Sequence, residues 1–384
     1  MVDLLTSDQE KALISFKCGN NIFITGPGGA GKSYLIKTIV DECKKSERKV
    51  QVCAMTGCAA VLLQCGAKTL HSWGGFGLAS GDIKNVVKRV TGNRYKKKPW
   101  KEIDVLIIDE VSMLSKKLLT CIDLIAKIAR NKREVPFGGI QLVLSGDFYQ
   151  LPPVGDDEDE DTSAFCFESE SWDGIGSIGQ LSTIKRQDDN AFIKILNQVR
   201  IGKITRNTID KLNTRVGTKI DGEIKPTLMF PRRFHADMVN AKEYKALPDS
   251  EEYIYKSEVK DNVDELTPAE RKLRSIASPE AVEHEINYLS SGTMAEQTIS
   301  LKIGTQVMCI ANIELDSAQQ IVNGSQGIVV DFQNGLPVVQ FRCGARKQMG
   351  KHLWQSETLP GLCIQQIPLI YSWAITIHKA QGVT

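Results

Sequence analysis

The chain has 384 residues, of which 42% are apolar and 24% charged, and its 48 basic and 46 acidic side chains leave a net charge of +2. This length predicts two or more domains, because one hydrophobic core rarely serves so long a chain. The composition excludes a disordered or membrane-embedded chain, and the charge excludes a uniformly basic coat but permits a local basic stripe. Without a signal peptide or a long apolar run, we expect a soluble, intracellular protein with no membrane partner.

Ten cysteines are scattered along the chain, and Cys53 and Cys58 are the closest pair. Because no Cys-x-x-Cys occurs, neither a zinc ribbon nor a disulfide framework is indicated, and we expect reduced thiols.

The first motif is a glycine-rich loop, GPGGAGKS at residues 26–33, between a predicted strand at 21–25 and a predicted helix. Glycines let backbone N–H groups close on phosphate oxygens, and the N-terminus of the helix adds a positive dipole. Lys32 is expected to reach the β- and γ-phosphates of ATP, and Ser33 to bind Mg²⁺. The residues predicted to surround the nucleotide are Gly26, Pro27, Gly28, Gly29, Ala30, Gly31, Lys32 and Ser33.

Two further apolar runs, at 105–108 and 140–144, predict buried strands that end in polar residues. Asp109 and Glu110 follow the first run, and a carboxylate at the end of a buried strand needs a cation or solvent. We predict that Asp109 binds Mg²⁺ and that Glu110 is the base that polarises the attacking water. Gln150, beyond the second run, could sense the γ-phosphate. Taken alone, each would be an ordinary turn or loop residue.

The ordered motifs of the chain resemble the PIF-type (petite integration frequency) DNA helicases of superfamily 1B. The resemblance extends over nearly the whole chain and is weakest at 245–298. The matching strings are TGCAA at 56–60, TLHSWGGFG at 69–77, the segment 109–154 with PFGGIQ and GDFYQLPPV, IKRQ at 184–187 and HKAQG at 378–382. The resemblance implies an ATP-dependent helicase that moves 5' to 3' on single-stranded DNA and uses ATP and Mg²⁺.

For the fold, the resemblance implies an α/β protein with two RecA-like lobes built on parallel sheets and a small SH3-like β-barrel inserted in the second lobe. The first lobe is expected at 1–175, with a DNA-binding insertion at about 74–103. The second is expected at 176–245 and 362–384, and the inserted subdomain at 246–361. Short β-runs with Asn-Gly dipeptides at 323–324 and 334–335 independently predict a barrel at about 301–345.

The resemblance also assigns residues that sequence patterns alone would leave unmarked. It implies that Gln9 reads adenine and that Arg186 is an arginine finger acting from across the cleft; otherwise they would be a solvated helix residue and a surface charge. The matching strings imply DNA contacts by Thr56, His71, Trp73, His378 and Lys379. Arg232 is as well explained by contact with DNA phosphates as by solvation.

A basic stretch at 83–101 contains no acid and includes Tyr95 and Trp100, a pattern typical of single-stranded DNA binding, although most charge runs are solvated surface. The acidic run at 156–161 predicts a flexible loop that points away from the DNA. Two apolar patterns predict core: a helix face with Phe192, Ile195, Leu196 and Val199, and one buried strand over 366–377.

The family has a further motif after HKAQG, with a second arginine, and this chain stops at Thr384, so we expect a truncated second lobe. One alternative is therefore an ATP- and DNA-binding fragment that hydrolyses poorly, and another is a phosphate-loop NTPase that does not act on DNA. The expected partners are single-stranded DNA, junctions and forks, and the expected state is a monomer. Replication, repair and recombination, in a nucleus, a mitochondrion or a virus-infected cell, all fit.

Overall fold

The computed structural model describes residues 5–63, 65–77, 79, 81–155, 159–218, 222, 224–313, 321–356 and 359–381. The chain divides into two compact units, 1–218 and 219–384. Each unit has its own sheets and its own apolar cores. Among the described residues, no helix is long and apolar enough to cross a membrane.

The first unit alternates helices and strands along the chain. Its strands are β1 (Ile22–Thr25), β2 (Val50–Ala54), β3 (Lys68–Thr69), β4 (Val105–Asp109), β5 (Gln141–Gly146) and β6 (Ser177–Gln180). Its α-helices are α1 (Ser7–Lys17), α2 (Lys32–Lys45), α3 (Gly57–Leu63), α4 (Leu70–Gly74), α5 (Ile83–Thr91), α6 (Arg94–Glu102), α7 (Lys116–Arg130), α8 (Asn190–Arg200) and α9 (Arg206–Asn213).

The six strands form one parallel sheet in the order β3-β2-β4-β5-β1-β6. Parallel strands are covered on both faces, which is why β4 and β5 are apolar runs in the sequence. Thr25 is level with Gly146, and Ile108 with Leu144, so the carboxyl ends of β1, β4 and β5 lie at one edge. That edge carries the glycine loop and both predicted polar strand ends.

Two cores lie on opposite faces of this sheet. Ile22, Ile24 and Ile107 pack in one cluster, and their sequence neighbours Phe23, Leu106 and Ile108 pack in the other. This follows from strand geometry, because successive side chains point to opposite faces.

The first unit continues past the boundary predicted after residue 175. Strand β6 pairs with β1 in parallel register from Ile22–Ser177 to Thr25–Gln180. Helices α8 and α9 also belong to this unit.

The helix face predicted to be core is half-buried at Ile195 and exposed at its other three residues, so the prediction of a core face was wrong. Phe192, Leu196 and Val199 of α8 have exposed fractions of 40%, 46% and 47%. Helical spacing shows that residues share a face, but it does not show what covers that face.

The second unit combines a short parallel pair with antiparallel strands. Its α-helices are α10 (Arg233–Lys245), α11 (Pro268–Ser275), α12 (Pro279–Gly292) and α13 (Ile377–Ala380). Its strands are β7 (Leu228–Phe230), β8 (Tyr253–Lys256), β9 (Glu258–Asp261), β10 (Thr298–Leu301), β11 (Gln306–Cys309), β12 (Gln326–Gln333), β13 (Leu336–Phe341), β14 (Arg346–Gln348), β15 (His352–Gln355), β16 (Leu362–Gln366), β17 (Leu369–Tyr371) and β18 (Ala374–Thr376).

The predicted small β domain is a five-stranded antiparallel sheet in the order β14-β13-β12-β11-β17. Asn334 and Gly335 form the predicted tight turn between β12 and β13, and both have positive φ, 52° and 73°. A two-stranded sheet, β10-β8, and a three-stranded sheet, β15-β16-β9, complete the antiparallel part, and β18 pairs with β7 in parallel.

The single strand predicted over 366–377 was wrong, because this segment contributes to several sheets. Strand β16 ends at Gln366 and pairs with β9 and β15. After Pro368, β17 pairs with β11 of the small β domain, and β18 pairs with β7. Apolar residues at consecutive positions indicate burial, but they do not show which sheet buries them.

Candidate nucleotide site and DNA-contact residues

The glycine loop connects the end of β1 to the start of α2. Gly29 and Gly31 have φ of 81° and 83°, a conformation that favours glycine. A Cβ on Gly31 would lie 2.5 Å from the Gln9 side-chain nitrogen, and one on Gly29 would lie 2.7 Å from the Arg186 Cβ. These two glycines therefore let Gln9 and Arg186 lie against the loop.

Gln9 is buried, which shows that its interpretation as a solvated helix residue was wrong. Its Oε1 accepts from the Thr6 amide at 2.9 Å, closing the capping box of α1, and its Nε2 donates to the Gly31 carbonyl at 3.2 Å. The first helix of the chain is thereby joined to the glycine loop.

Lys32 is the first residue of α2, and its ammonium turns back into the loop. Its Nζ donates to the carbonyl oxygens of Gly26 at 2.8 Å and Pro27 at 3.2 Å. Burial lowers the pKa of Lys32, while the carboxylates of Asp109, Asp147 and Glu110 act in the opposite direction. Burial thus disfavours the ammonium form of Lys32, and the three carboxylates offset only part of this effect.

Asp109 ends β4 as a buried carboxyl group. Burial and then the neighbouring Glu110 carboxylate raise the pKa of Asp109 to about 6, and Lys32 opposes this shift. Glu110 is half-buried and adopts left-handed φ and ψ of 57° and 42°, a strained conformation for a residue with a side chain.

The site suits a divalent cation that is shared with phosphates. Asp109 and Ser33, the second residue of α2, offer the hard oxygen ligands that Mg²⁺ prefers. Among the described residues there is no group of three or more His, Cys, Asp or Glu that could hold a metal, so phosphate and water oxygens would complete the coordination. A cation here would also compensate the costly burial of Asp109.

An ion pair that local sequence patterns do not reveal lies beyond β5. Asp147 is 1% exposed, and both of its oxygens accept hydrogen bonds at 2.7 Å, from Nε and Nη2 of Arg200. The Gln150 amide donates to the Asp147 carbonyl at 2.8 Å. A buried acid immediately after a strand was the available signal, but the distance of Arg200 along the chain hid the pairing.

Arg186 lies in the same compact unit as the phosphate loop. The neighbouring Lys185 amide donates to the Gly29 carbonyl at 2.9 Å, and Arg186 itself is exposed. The expectation that it would approach from the second lobe therefore differs from the structure, in which its backbone already contacts the loop.

The DNA-contact candidates of the first unit lie on or beside the short helices after β2 and β3. Thr56 is half-buried, and its hydroxyl accepts from the Ala59 amide at 3.2 Å. Burial lowers the pKa of His71, which keeps its ring neutral at neutral pH. The Trp73 ring packs 4.6 Å from that of Trp100, so part of its surface belongs to the core.

The basic stretch forms α5 and α6, and it contains one structural aromatic residue. Trp100 is 0% exposed and its Nε1 donates to the Gly74 carbonyl at 3.1 Å, so its interpretation as a side chain that stacks on bases was wrong. An indole that is buried among apolar side chains has no face left for a base. Tyr95, by contrast, is 57% exposed among exposed lysines and arginines.

The described part of the acidic run is held by ion pairs, and its place relative to bound DNA stays a prediction. Residues 156–158 lie outside the described residues, but Asp159 pairs with Lys117 at 2.6 Å and Asp161 with Lys116 at 2.8 Å. Asp159 and His71 line one cavity of about 540 Å³. The buried Lys117 holds this end of the run against α7 because a buried ammonium needs a counter-charge.

The second unit carries the remaining candidates. Arg232 precedes α10 and is exposed. His378 and Lys379 lie on α13, where His378 is exposed and Lys379 is half-buried. Burial lowers the pKa of Lys379, and the Glu296 carboxylate opposes this shift. Gly382 of the HKAQG string lies outside the described residues.

Two family models match this chain. The model described as PIF1-like helicase matches residues 4–210, and the model described as the 2B domain of DNA helicase Pif1 matches residues 286–332. The ATP-dependent DNA helicase PIF1 of Danio rerio is 33% identical over 390 residues, which cover 99% of this chain and 56% of the relative. The ATP-dependent DNA helicase RRM3 of Saccharomyces cerevisiae is 35% identical over 346 residues, covering 88% and 44%. The chain thus spans about half the length of these curated relatives.

Solved structures agree in fold. The Pif1 helicase of Candida albicans matches with a TM-score of 0.75 and 32% identity, covering 99% of this chain and 87% of that one. A Bacteroides Pif1 in complex with ADP-AlF4 matches with a TM-score of 0.74 and 26% identity, covering 100% and 85%. A Bacteroides Pif1 bound to single-stranded DNA matches with a TM-score of 0.64 and 26% identity, covering 100% and 84%. These matches confirm the predicted fold class, two RecA-like lobes with a small β-barrel.

Proposed function

Because the chain belongs to the PIF1-like helicase family, we propose that it is an ATP-dependent DNA helicase that moves 5' to 3' on single-stranded DNA and hydrolyses ATP between two RecA-like lobes. One observation carries the proposal: Asp109 ends β4, Gln150 follows β5 and Lys32 follows β1, and these three strands are neighbours in one parallel sheet. Ligands of open α/β sheets bind at the edge where the carboxyl ends of the strands meet.

In this proposal each of these side chains, at the carboxyl ends of the parallel strands, has one role. Lys32 exchanges the carbonyls of Gly26 and Pro27 for β- and γ-phosphate oxygens. Ser33 and Asp109 would hold Mg²⁺, which would neutralise charge on the phosphates. Glu110 accepts a proton from the water that attacks the γ-phosphorus, and the bond to the bridging oxygen breaks to release ADP.

The remaining proposed residues surround this reaction. Gln150 senses the γ-phosphate, and Arg186 neutralises the charge that grows on it. Gln9 reads adenine from α1, which is already joined to the loop at Gly31. The backbone N–H groups of the loop from Gly26 to Gly31, which all of these residues except Pro27 carry, close on the phosphates, where glycine leaves room for them.

The strand contacts are proposed for residues in both units: Thr56, His71, Trp73, Arg232, His378 and Lys379. Support comes from a related Bacteroides Pif1 that binds single-stranded DNA and from a structure of two coordinating Pif1 helicases at forked double-stranded DNA. We propose single strands and forks as partners, a monomer as the basic state, and a nuclear or mitochondrial setting if the source is eukaryotic.

The test is the rate of ATP hydrolysis with and without a single-stranded oligonucleotide, at low salt where phosphate contacts are strongest. We expect DNA to stimulate hydrolysis and a 5'-tailed duplex to be unwound. If DNA did not change the rate of ATP hydrolysis and the oligonucleotide did not bind, the result would instead support an NTPase that does not act on DNA. Binding of ATP and DNA without turnover would support a hydrolysis-poor fragment.

A further inference from the structure

The buried ion pair between Asp147 and Arg200 has no role in the function proposed above. Arg200 donates from Nε to Oδ2 and from Nη2 to Oδ1, each at 2.7 Å. A carboxylate that is 1% exposed is costly unless it is paired, and a bidentate fork fixes direction as well as distance. The pair therefore holds the guanidinium and the carboxylate in one relative orientation.

Asp147 in turn organises the turn that presents Gln150. The backbone N–H of Tyr149 donates to Asp147 Oδ1 at 3.2 Å, and the backbone N–H of Gln150 donates to the Asp147 backbone carbonyl at 2.8 Å. The Arg200 guanidinium also lies 4.5 Å from the centre of the Tyr149 ring. One arginine thus supports this turn from two sides.

Arg200 is the last residue of α8, whose first residue, Asn190, follows Arg186 by four positions. None of the described α8 side chains is fully buried, although Ile193 and Ile195 are half-buried, so apolar packing is not the only contact that holds this helix. The fork to Asp147 ties its carboxyl end to the edge of the sheet, while its amino end follows the segment that contacts Gly29.

We propose that Arg200 is a positioning residue for ATP hydrolysis. Its fork to Asp147 holds the Asp147–Gln150 turn and links it to the helix that follows Arg186, so that Gln150 and Arg186 are placed together. The inference rests on the proposed function and assigns Arg200 no contact with the nucleotide. A lysine would not replace it, because an ammonium is a point charge without the planar fork.

The kinetic test compares Arg200→Gln and Arg200→Lys with the unaltered full chain in the presence of single-stranded DNA. Small misplacements of reacting groups cost up to about 100-fold in rate, so we expect kcat to fall at least about 10-fold in both variants. The KM for ATP should change by less than about 3-fold, because the lost interaction is not a ground-state contact with the nucleotide.

The matched control is Arg274→Gln. Arg274 also forms a partly buried ion pair, with its Nη2 2.6 Å from Asp261 Oδ2, but it lies on α11 of the second unit. The kcat of Arg274→Gln should stay within about 2-fold of that of the unaltered chain, because substitutions at distant positions without shared partners act independently. An equal loss in Arg274→Gln, or an unchanged kcat in Arg200→Gln, would overturn the inference.

A second readout needs no turnover. In nucleotide-free protein, amide hydrogen exchange at Tyr149 and Gln150 should quicken about 10-fold in Arg200→Gln, with the amides of α7 unchanged. Unchanged exchange at Gln150 would overturn the positioning role, whereas an unaltered chain that fails to hydrolyse ATP would contradict the proposed function instead. If Arg200→Gln does not fold, Arg200→Lys decides: wild-type kcat and exchange in that variant would refute the need for the fork.

Discussion

Lys32 is the residue on which the proposed nucleotide chemistry most depends, because its ammonium occupies the loop that phosphates would enter. We expect Lys32→Ala to lower ATP hydrolysis at least about 100-fold, the scale of losing one preorganised charge at the reacting group. Binding of a single-stranded oligonucleotide at low salt should persist, since the proposed strand contacts lie elsewhere. Steady-state ATPase and fluorescence anisotropy measure the two effects.

Lys45→Ala is the matched control for that experiment. Lys45 ends the same helix and pairs with Glu42 on the surface, so its removal should leave hydrolysis unchanged. If Lys32→Ala kept more than about a tenth of the turnover, the lysine would not have the role expected of a phosphate-loop residue.

At Asp109 we expect function and stability to conflict, because the buried carboxylate that would bind Mg²⁺ also destabilises the folded protein. Its pKa is about 6 in the folded chain and 3.8 in the reference state, so between these values the folded protein retains a proton that the unfolded chain has lost. Stability should therefore fall as pH rises from about 4 to about 6 and stay lower above, by about 3 kcal/mol from this group. Without nucleotide or Mg²⁺, Asp109→Asn should raise the free energy of unfolding by about 1–3 kcal/mol at pH 8 and change it little at pH 4. The same variant should lose ATP hydrolysis.

Asp123→Asn is the informative comparison, measured by denaturant unfolding at both pH values. Asp123 is also buried, but its oxygens accept from the Phe137 amide and the Lys127 ammonium, each at 2.7 Å. Its loss should destabilise by about 1–3 kcal/mol because satisfied partners are orphaned. A destabilised Asp109→Asn at pH 8 would contradict the expected cost of burying this carboxylate.

At the scale of elements, α6 carries both a structural aromatic residue, Trp100, and a candidate DNA-contact residue, Tyr95. Trp100→Ala should destabilise the protein by about 3–5 kcal/mol, because it empties a buried site in the core. Tyr95→Ala should leave stability nearly unchanged and weaken oligonucleotide binding by about 1–3 kcal/mol, the scale of one base–aromatic stack. Chemical denaturation and anisotropy titrations distinguish the two, and wild-type affinity in Tyr95→Ala would remove α6 from the proposed DNA path.

At the scale of the whole molecule, the first unit is expected to fold on its own. The six strands of its sheet and both of its cores fall between Ala12 and Leu181. A fragment of residues 1–218 should melt cooperatively by circular dichroism, and MgADP at 100 times its dissociation constant should add about 2.7 kcal/mol of stability. The same fragment with Lys32→Ala should lose that shift, and a fragment without a melting transition would refute the independence of the unit.

Local patterns in the sequence were sufficient to predict the elements that carry the proposed nucleotide site. The loop before Lys32, the polar ends of β4 and β5 and the Asn334-Gly335 turn were all predictable, because each depends on residue types at short, regular spacing. The resemblance extended this to the fold class, and the roles of Gln150, Arg186 and the DNA-contact residues remain predictions.

The sequence by itself therefore determined the phosphate loop, the parallel sheet that presents it and the family of the chain. Only the tertiary structure decided that Trp100 is core, that the apolar face of α8 is largely exposed, that residues 366–377 divide among several sheets and that Arg200 forks onto Asp147. The physical reason is range: turns, caps and strand periodicity are set by neighbours in sequence, whereas burial and ion pairing depend on partners tens or hundreds of residues away.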